Sequence, residues 1–139
     1  MSSRTRTWQQ KYDARTEPSV EVLQKPAAGM QAGQRMLIAT PAIINEYLQA
    51  IPAGQAVSVA TLRRDLAATH DADVTCPLTT GIFLRIVSER AVEQMNAGAS
   101  PSDVAPFWRV VEPTSPLARK LSVGGAWIQQ RRQAEGIQA

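Results

Sequence analysis

The sequence predicts a mainly α-helical protein with a small β element, folded as one winged helix-turn-helix-like domain behind an irregular N-terminal arm. Three segments after residue 36 carry apolar residues at helical spacing, and a short polar turn separates the second segment from the third. A proline-bounded, β-branched stretch and then a basic loop follow, as a strand and a wing would. A length of 139 residues suits a single domain with its own core.

Residues 1–35 are expected to form a basic, partly flexible N-terminal arm, and residues 36–139 the domain. The arm mixes Ser, Thr, Gln, Pro and Gly with more basic than acidic side chains, and no helical or alternating period persists. Trp8 and Tyr12 are four residues apart, so a short helix that docks an aromatic side chain on the domain is an alternative. A basic arm can also follow a phosphate backbone.

The first two predicted helices begin at N-cap residues. Thr40 precedes a first-turn proline, and this helix ends before Gly54, which suits a turn. Ser58 caps the second helix, which extends to about His70. The residues expected to face inward share the spacing of a helix face and are Ile43, Ile44, Tyr47, Leu48, Leu62, Leu66 and Ala67.

The third predicted helix is the longest. It is expected to begin at Thr79 or Thr80, after the polar turn, and to end near Gly98, which can adopt the left-handed C-cap conformation. Its expected apolar face consists of Ile82, Phe83, Ile86, Val87 and Met95.

The stretch from Pro106 is predicted to be a strand that continues to about Glu112. Neighbouring residues of a strand point to opposite faces, so one of Phe107 and Trp108 can enter the core while the other lines a cleft. The alternative is that both rings belong to the core. The basic loop 113–121 then corresponds to the wing, and a last helix is expected over about 126–134.

Bulk properties restrict the class of protein. The net charge of +3 permits a polyanionic partner without requiring one. A single cysteine excludes an internal disulfide framework and fits a reducing cytoplasm. No apolar run is long enough to span a bilayer, and the first ten residues lack the apolar block of a signal peptide. We therefore expect a cytoplasmic protein without membrane contact.

Several short motifs occur along the domain in a fixed order, namely Ile51-Pro52-Ala53-Gly54, Val57-Ser58, Thr80-Gly81, Pro106 to Val111, Gly124-Gly125 and Glu135-Gly136. In this order and spacing they resemble the DNA-binding C-terminal domain of the O6-alkylguanine-DNA alkyltransferases, and more closely the alkyltransferase-like proteins that lack the reactive cysteine. The resemblance covers about residues 40–136. It implies a helix-turn-helix whose third helix enters a DNA groove, double-stranded DNA as the partner, and a role in DNA repair.

The departures from the family pattern exclude its chemistry. Phe107 stands at the position of the nucleophilic cysteine, and Trp108 at that of the histidine that activates it. Alkyl transfer needs a thiolate and a base within hydrogen-bond reach, and these two side chains supply neither. Glu135 matches the acid that orients the histidine, and is expected to have nothing to orient. The resemblance therefore implies a non-catalytic protein, in which Phe107, Trp108 and Leu121 form a pocket for an alkylated or otherwise modified base.

The resemblance also directs attention to the start of the third helix. The family places there an arginine that fills the gap left by a flipped base, and this position falls on Pro77 or Leu78. A leucine can act instead as an apolar wedge. A tyrosine that helps to rotate the nucleotide in the family corresponds to Val59.

The residues expected at DNA phosphates share a positive charge and are Arg63, Arg64, Arg85, Arg109, Arg119 and Lys120. The alternative is a solvated surface, because Asp65, Glu89 and Glu93 lie beside several of them in the sequence. Arg119 and Lys120 have no acidic neighbour and are the strongest of the set. Arg109 matches the family arginine and is expected to be structural rather than a phosphate ligand.

The polar turn before the third helix offers other chemistry. His70, Asp71, Asp73 and Cys76 are residue types that suit a metal, but their spacing matches no standard pattern, so we expect no metal and no cofactor. Cys76 precedes a helix N-terminus, whose dipole favours a thiolate. Two alternatives to DNA binding therefore remain: an enzyme with relocated chemistry at Cys76, His70 or Glu135, and a protein-interaction module on the same scaffold, with partners unknown.

Overall fold

A computed structural model describes residues 6–137 of the chain. Its elements are α1 (Trp8–Asp13), β1 (Ser19–Val22), β2 (Arg35–Ile38), α2 (Pro41–Gln49), α3 (Val59–Thr69), β3 (Val74–Thr75), α4 (Pro77–Asn96), α5 (Pro116–Lys120) and α6 (Gly124–Ala134). Two short 3₁₀ helices, Pro101–Asp103 and Phe107–Arg109, lie between α4 and α5. The predicted class, mainly α-helical with a small β element, is confirmed. No helix within residues 6–137 is long and apolar enough to cross a membrane.

The sheet has three strands with β2 at its centre. β2 pairs with β1 in antiparallel and with β3 in parallel orientation, and Leu37 lies opposite Thr75. A parallel pair needs a long crossover, which α2 and α3 supply. Thr75 also ties the sheet to α3, because its hydroxyl donates to the carbonyl of Arg63 at 2.7 Å and its own carbonyl accepts from the Arg63 guanidinium at 2.8 and 3.0 Å.

The N-terminal segment is more regular than the sequence predicted. The expectation of an irregular arm is wrong for α1 and β1, since α1 begins at a capping box formed by Thr7 and Gln10, and β1 pairs with β2 from Ser19 opposite Ile38 to Val22 opposite Arg35. No residue of α1 is buried and three of the four β1 residues are exposed. Without a buried face, neither element leaves an apolar period in the sequence.

The predicted N-caps of the first two main helices are confirmed. The Thr40 hydroxyl accepts from the amide of Ile43, and the Ser58 hydroxyl from that of Thr61. α4 begins at Pro77, two residues before the earlier of the two predicted starts. Its buried face consists of Thr80, Leu84, Val87, Ser88, Glu89, Ala91 and Val92. Ile82 lies outside this face, so its predicted place in the core is wrong.

The strand predicted from Pro106 to Glu112 is wrong. The backbone instead turns tightly, because the amide of Arg109 donates to the carbonyl of Pro106 and the amides of Val110 and Val111 both donate to that of Phe107. The basic loop predicted as a wing contains α5, and the described residues 97–137 include no strand. The wing is therefore not confirmed, and helical turns occupy its place in the chain.

Candidate nucleic-acid interface

The residues predicted to form a base pocket lie in the core. Phe107 is 0% exposed, Trp108 1% and Leu121 4%. The rings of Phe107 and Trp108 meet edge to face with centroids 5.4 Å apart, and Trp127 stacks on Phe107 at 5.6 Å. A helical turn does not send neighbouring side chains to opposite faces as a strand does, so both rings point inward. This is the arrangement that the core interpretation predicts, and the groove described below is not lined by any of these three residues.

Glu135, at the C-terminal end of α6, is the acid that the sequence left without a partner. The indole Nε1 of Trp108 donates to its Oε2 at 2.9 Å, and Arg109 donates to its two oxygens at 2.8 and 2.9 Å. The hydrogen bond from Arg109 is the largest cause that lowers the pKa of Glu135 to about 2, against the effect of burial and with help from Trp108 and the Gly54 amide. The expectation that Glu135 has nothing to orient is therefore wrong, since it holds an indole.

The segment at the family's reactive position is anchored from several sides. Arg109 Nη1 donates to the carbonyl of Ile51 at 2.7 Å, and the Arg109 carbonyl accepts from the amide of Val57 at 2.8 Å. Arg132 Nη1 donates to the carbonyl of Trp108 at 2.8 Å. These contacts link the turn between α2 and α3 to α6. They occupy the Arg109 guanidinium, which agrees with the structural role expected for it and leaves it unsuited to a phosphate.

A groove of about 460 Å³ lies between α1, the start of α4 and α5. Its apolar lining includes Trp8, Pro77, Leu78, Ile82 and Leu117. Leu78 and Ile82 lie one helical turn apart on α4 and are 72% and 48% exposed. Two large apolar side chains left exposed together on the first turns of a helix indicate a contact surface rather than a core face.

Gly81 and Ile86 also line the groove, together with three cations, Lys11, Arg85 and Lys120. Within residues 6–137, none of them has a carboxylate oxygen within 4.0 Å. Arg85 and Lys11 both lie against the indole of Trp8, with the Arg85 guanidinium carbon 5.4 Å and the Lys11 ammonium 4.1 Å from the ring centroid. The groove therefore has an apolar floor and a positive edge.

The acidic residues of α4 do not neutralise these cations. Glu89 is buried and accepts hydrogen bonds from the amide and hydroxyl of Ser122 at 3.0 and 2.6 Å. Glu93 accepts from the amides of Trp8 and Gln9 at 3.0 and 3.1 Å. Both carboxylates thus bind groups of other segments, and the solvated surface of paired charges predicted as the alternative does not form at the start of α4.

The other predicted phosphate ligands are distributed around the molecule. Arg63 is held by the Thr75 carbonyl, and Arg64 is exposed on α3 with Asp65 at 3.8 Å. Arg119 is exposed on α5 next to Lys120. The structure brings Arg85 and Lys120 to one groove. The other four predicted ligands lie outside its lining, namely Arg63, Arg64, Arg109 and Arg119.

Sequence reasoning missed Lys11 and Ile82 as parts of this surface. Lys11 was assigned to an irregular arm, and Ile82 to the core by its spacing. The four-residue interval between Trp8 and Tyr12 was the one signal of α1, and the match of Leu78 to the family's arginine was the one signal of the exposed pair.

The polar side chains of the turn before α4 do not form one cluster among the described residues. Among residues 6–137, no group of three or more His, Cys, Asp and Glu side chains is placed to hold a metal ion. His70 Nδ1 lies 3.0 Å from the carbonyl of Leu66, and Asp73 accepts from the amide of Arg35 at 2.8 Å. Cys76 is half-buried and is the N-cap of α4, where its side chain makes no capping hydrogen bond. No hydrogen bond joins Cys76 to His70 in the described part of the chain.

Comparison with protein-family models, with curated proteins and with solved structures gives no match. The likeness to the alkyltransferases consequently depends on the motifs of the chain itself.

Proposed function

We propose that this protein binds double-stranded DNA without catalysing a reaction on it, as the resemblance to the alkyltransferase-like proteins implies. The observation that carries the proposal is the exposed pair Leu78 and Ile82 on the first turns of α4, bordered by cations with no carboxylate oxygen within 4.0 Å among residues 6–137. α4 follows α3 in the helix-turn-helix order, after residues 70–76, which include β3, and α5 lies where the wing was expected. A cytoplasmic location is part of the proposal, because Cys76 is the one cysteine of the chain.

The chemistry of the groove suits a duplex. Recognition helices contact base edges with their N-terminal residues, which is where α4 exposes Leu78 and Ile82. Apolar side chains at such positions contact thymine methyl groups or open a base step as a wedge. Lysine and arginine beside them neutralise phosphates and release counterions, which supplies most of the affinity at low salt. Lys120 is the clearest phosphate ligand, since it is exposed at the end of α5.

The test is duplex binding as a function of salt, measured by the fluorescence anisotropy of a labelled duplex between about 50 and 200 mM salt. Wild type should bind with a negative slope of log affinity against log salt. Lys120→Gln should reduce that slope by about one, because one phosphate contact is lost. Leu78→Ala should weaken binding with an unchanged slope. Lys25→Gln is the matched control, since Lys25 is an exposed cation between β1 and β2 and outside the groove, and it should change little. Absence of binding at the lowest salt would refute the proposal.

Recognition of alkylated or otherwise modified bases is the narrower part of the proposal. The groove supports it better than the buried pair Phe107 and Trp108, because its volume lies in the range of small-ligand sites, about 300–1,000 Å³. A duplex with one O6-alkylguanine should bind more tightly than the plain duplex, and Leu78→Ala should reduce this preference. Equal affinity for the two duplexes would remove base recognition and leave duplex binding intact.

A further inference from the structure

α1 lies outside residues 40–136, where the family resemblance is found, yet it supplies two residues to the groove. We infer that α1 is part of the DNA-binding surface and that Glu93 is the positioning residue that holds it there. This inference rests on the proposed function. Glu93, an acidic residue of α4, would thus contribute indirectly to the binding of a polyanion.

Glu93 accepts hydrogen bonds from the first amides of α1. Its Oε2 accepts from the Trp8 amide at 3.0 Å and its Oε1 from the Gln9 amide at 3.1 Å, while Thr7 accepts from the next amide, that of Gln10. The first amides of a helix have no partner within the helix, and a carboxylate there also interacts favourably with the helix dipole. A single side chain of α4 thus fixes both the position and the direction of α1.

α1 is also held by Arg90 of α4 and by the half-buried ring of Tyr12, which packs against the apolar core. Arg90 Nε donates to the side-chain oxygen of Gln9 at 2.7 Å, and the Arg90 guanidinium carbon lies 3.9 Å from the Tyr12 ring centroid. No residue of α1 is buried. A helix of six residues is far too short to be stable alone in water, so α1 depends on these contacts. Removal of the Glu93 carboxylate should therefore release it.

Release of α1 removes a cation from the groove. Lys11 belongs to the last turn of α1 and lines the groove together with Arg85 and Lys120. Its ammonium group is placed by α1 and by the indole of Trp8, 4.1 Å away. When α1 detaches, Lys11 moves on a flexible segment and its charge no longer adds to those of α4 and α5.

The direction in which DNA affinity changes when Glu93 is removed distinguishes a positioning role from a direct electrostatic effect. Removal of an acid near a polyanion strengthens binding if charge alone matters, because a repulsion is lost. Positioning predicts the opposite, since Glu93→Ala loses the Lys11 contact as well. Glu46 supplies the matched control, because it is an exposed acid on α2, whose side chain makes no hydrogen bond or ion pair within the described residues.

The experiment measures duplex affinity and its salt slope for wild type, Glu93→Ala, Lys11→Gln and the double variant. Glu93→Ala and Lys11→Gln should each weaken binding by about threefold to tenfold and reduce the slope by about one. The double variant should bind no more weakly than Glu93→Ala, because both changes remove the same contact. Glu93→Gln keeps one acceptor oxygen and should lie between wild type and Glu93→Ala. Glu46→Ala should bind as tightly as wild type or more tightly.

Hydrogen exchange of the Trp8 and Gln9 amides supplies a readout that does not depend on DNA. Exchange should accelerate in Glu93→Ala and remain slow in Lys11→Gln. Three results would each overturn the inference while the proposed function stands. They are a Glu93→Ala variant that binds DNA as tightly as Glu46→Ala, additive losses of affinity in the double variant, and unchanged exchange of the Trp8 and Gln9 amides in Glu93→Ala. A wild-type protein that binds no duplex would overturn both.

Discussion

The indole Nε1 of Trp108 donates a hydrogen bond of 2.9 Å to the Glu135 carboxylate, and so joins the 3₁₀ helix Phe107–Arg109 to the end of α6. In the family that this chain resembles, the two positions hold a histidine and the acid that orients it. Here Glu135 binds a nitrogen donor, but an indole N–H cannot act as a base. The contact is therefore structural and is largely shielded from solvent, since 6% of the Glu135 side chain is exposed.

Trp108→Phe tests what this contact contributes to stability. The change keeps an aromatic ring but removes a donor to a charged carboxylate, so the free energy of unfolding should fall by about 1.5–3 kcal/mol, measured by urea denaturation. The matched control is Trp127→Phe, because the Trp127 indole nitrogen makes no hydrogen bond within residues 6–137. A loss in the control as large as that in Trp108→Phe would attribute the effect to ring packing alone.

The pKa of Glu135 predicts how stability depends on pH. Its pKa in the folded protein is about 2, against an ordinary value of 4.5, chiefly because of the hydrogen bond from Arg109. A lowered pKa means that the ionised form stabilises the fold. This stabilisation, about 2 kcal/mol after screening by solvent, is complete above about pH 4.5 and is lost as the pH falls towards 2.

Glu135→Gln checks this dependence. At pH 7 the change leaves the Arg109 guanidinium without its anion in a nearly buried site, and the free energy of unfolding should fall by about 2–4 kcal/mol. The difference between wild type and variant should shrink between pH 4.5 and 2, the range between the two pKa values. A difference that stays constant over this range would contradict the role of the Glu135 charge.

Two glycine-to-alanine changes should have opposite effects. A Cβ at Gly125 would clash with the Pro113 carbonyl oxygen, which belongs to the backbone and cannot move aside cheaply. Gly125→Ala should therefore lower the free energy of unfolding by several kcal/mol. A Cβ at Gly81, inside α4, would meet nothing within 4 Å, so Gly81→Ala should raise the free energy of unfolding by about 0.5–1 kcal/mol. Thermal unfolding of both variants measures this contrast, and a stabilised Gly125→Ala would show that the two segments do not meet.

The main helices could be predicted from the sequence because each has a local cause. Thr40 and Ser58 are N-caps whose hydroxyls accept the expected amides, and a buried apolar stripe follows each of them. The interval between Trp8 and Tyr12 indicates α1 only as an alternative, because much of its stability comes from Glu93, which is distant in the chain. β1 could not be predicted, since it depends on pairing with β2. The β-branched pair after Phe107 favoured a strand, but no neighbouring strand is available to it and the backbone closes a turn instead.

The candidate site could be predicted only in part, for a similar reason. Arg85 and Lys120 were recognisable by charge, and Leu78 by its place in the motif. Whether a cation is free to bind a ligand depends on partners that are distant in the sequence. Arg109, for example, is bound by Glu135, and Arg63 by the Thr75 carbonyl. Acidic neighbours in the sequence were misleading, because Glu89 binds Ser122 rather than an adjacent arginine.

Phe107→Cys, made in a Cys76→Ser background, places a thiol where the resembled family has its nucleophile. The new thiol should stay unreactive towards a thiol reagent in the folded protein and should not accept an alkyl group from O6-alkylguanine DNA. Phe107 is 0% exposed, its apolar surroundings favour the neutral thiol, and Trp108 offers no base.

The loss of ring volume should lower the free energy of unfolding by about 3–5 kcal/mol, so circular dichroism must first show that the variant is folded. Denaturation should then make the thiol react at an ordinary rate. Rapid labelling of the folded variant, or covalent alkyl transfer to Cys at this position, would show that the segment opens to solvent and would restore the pocket predicted from the sequence.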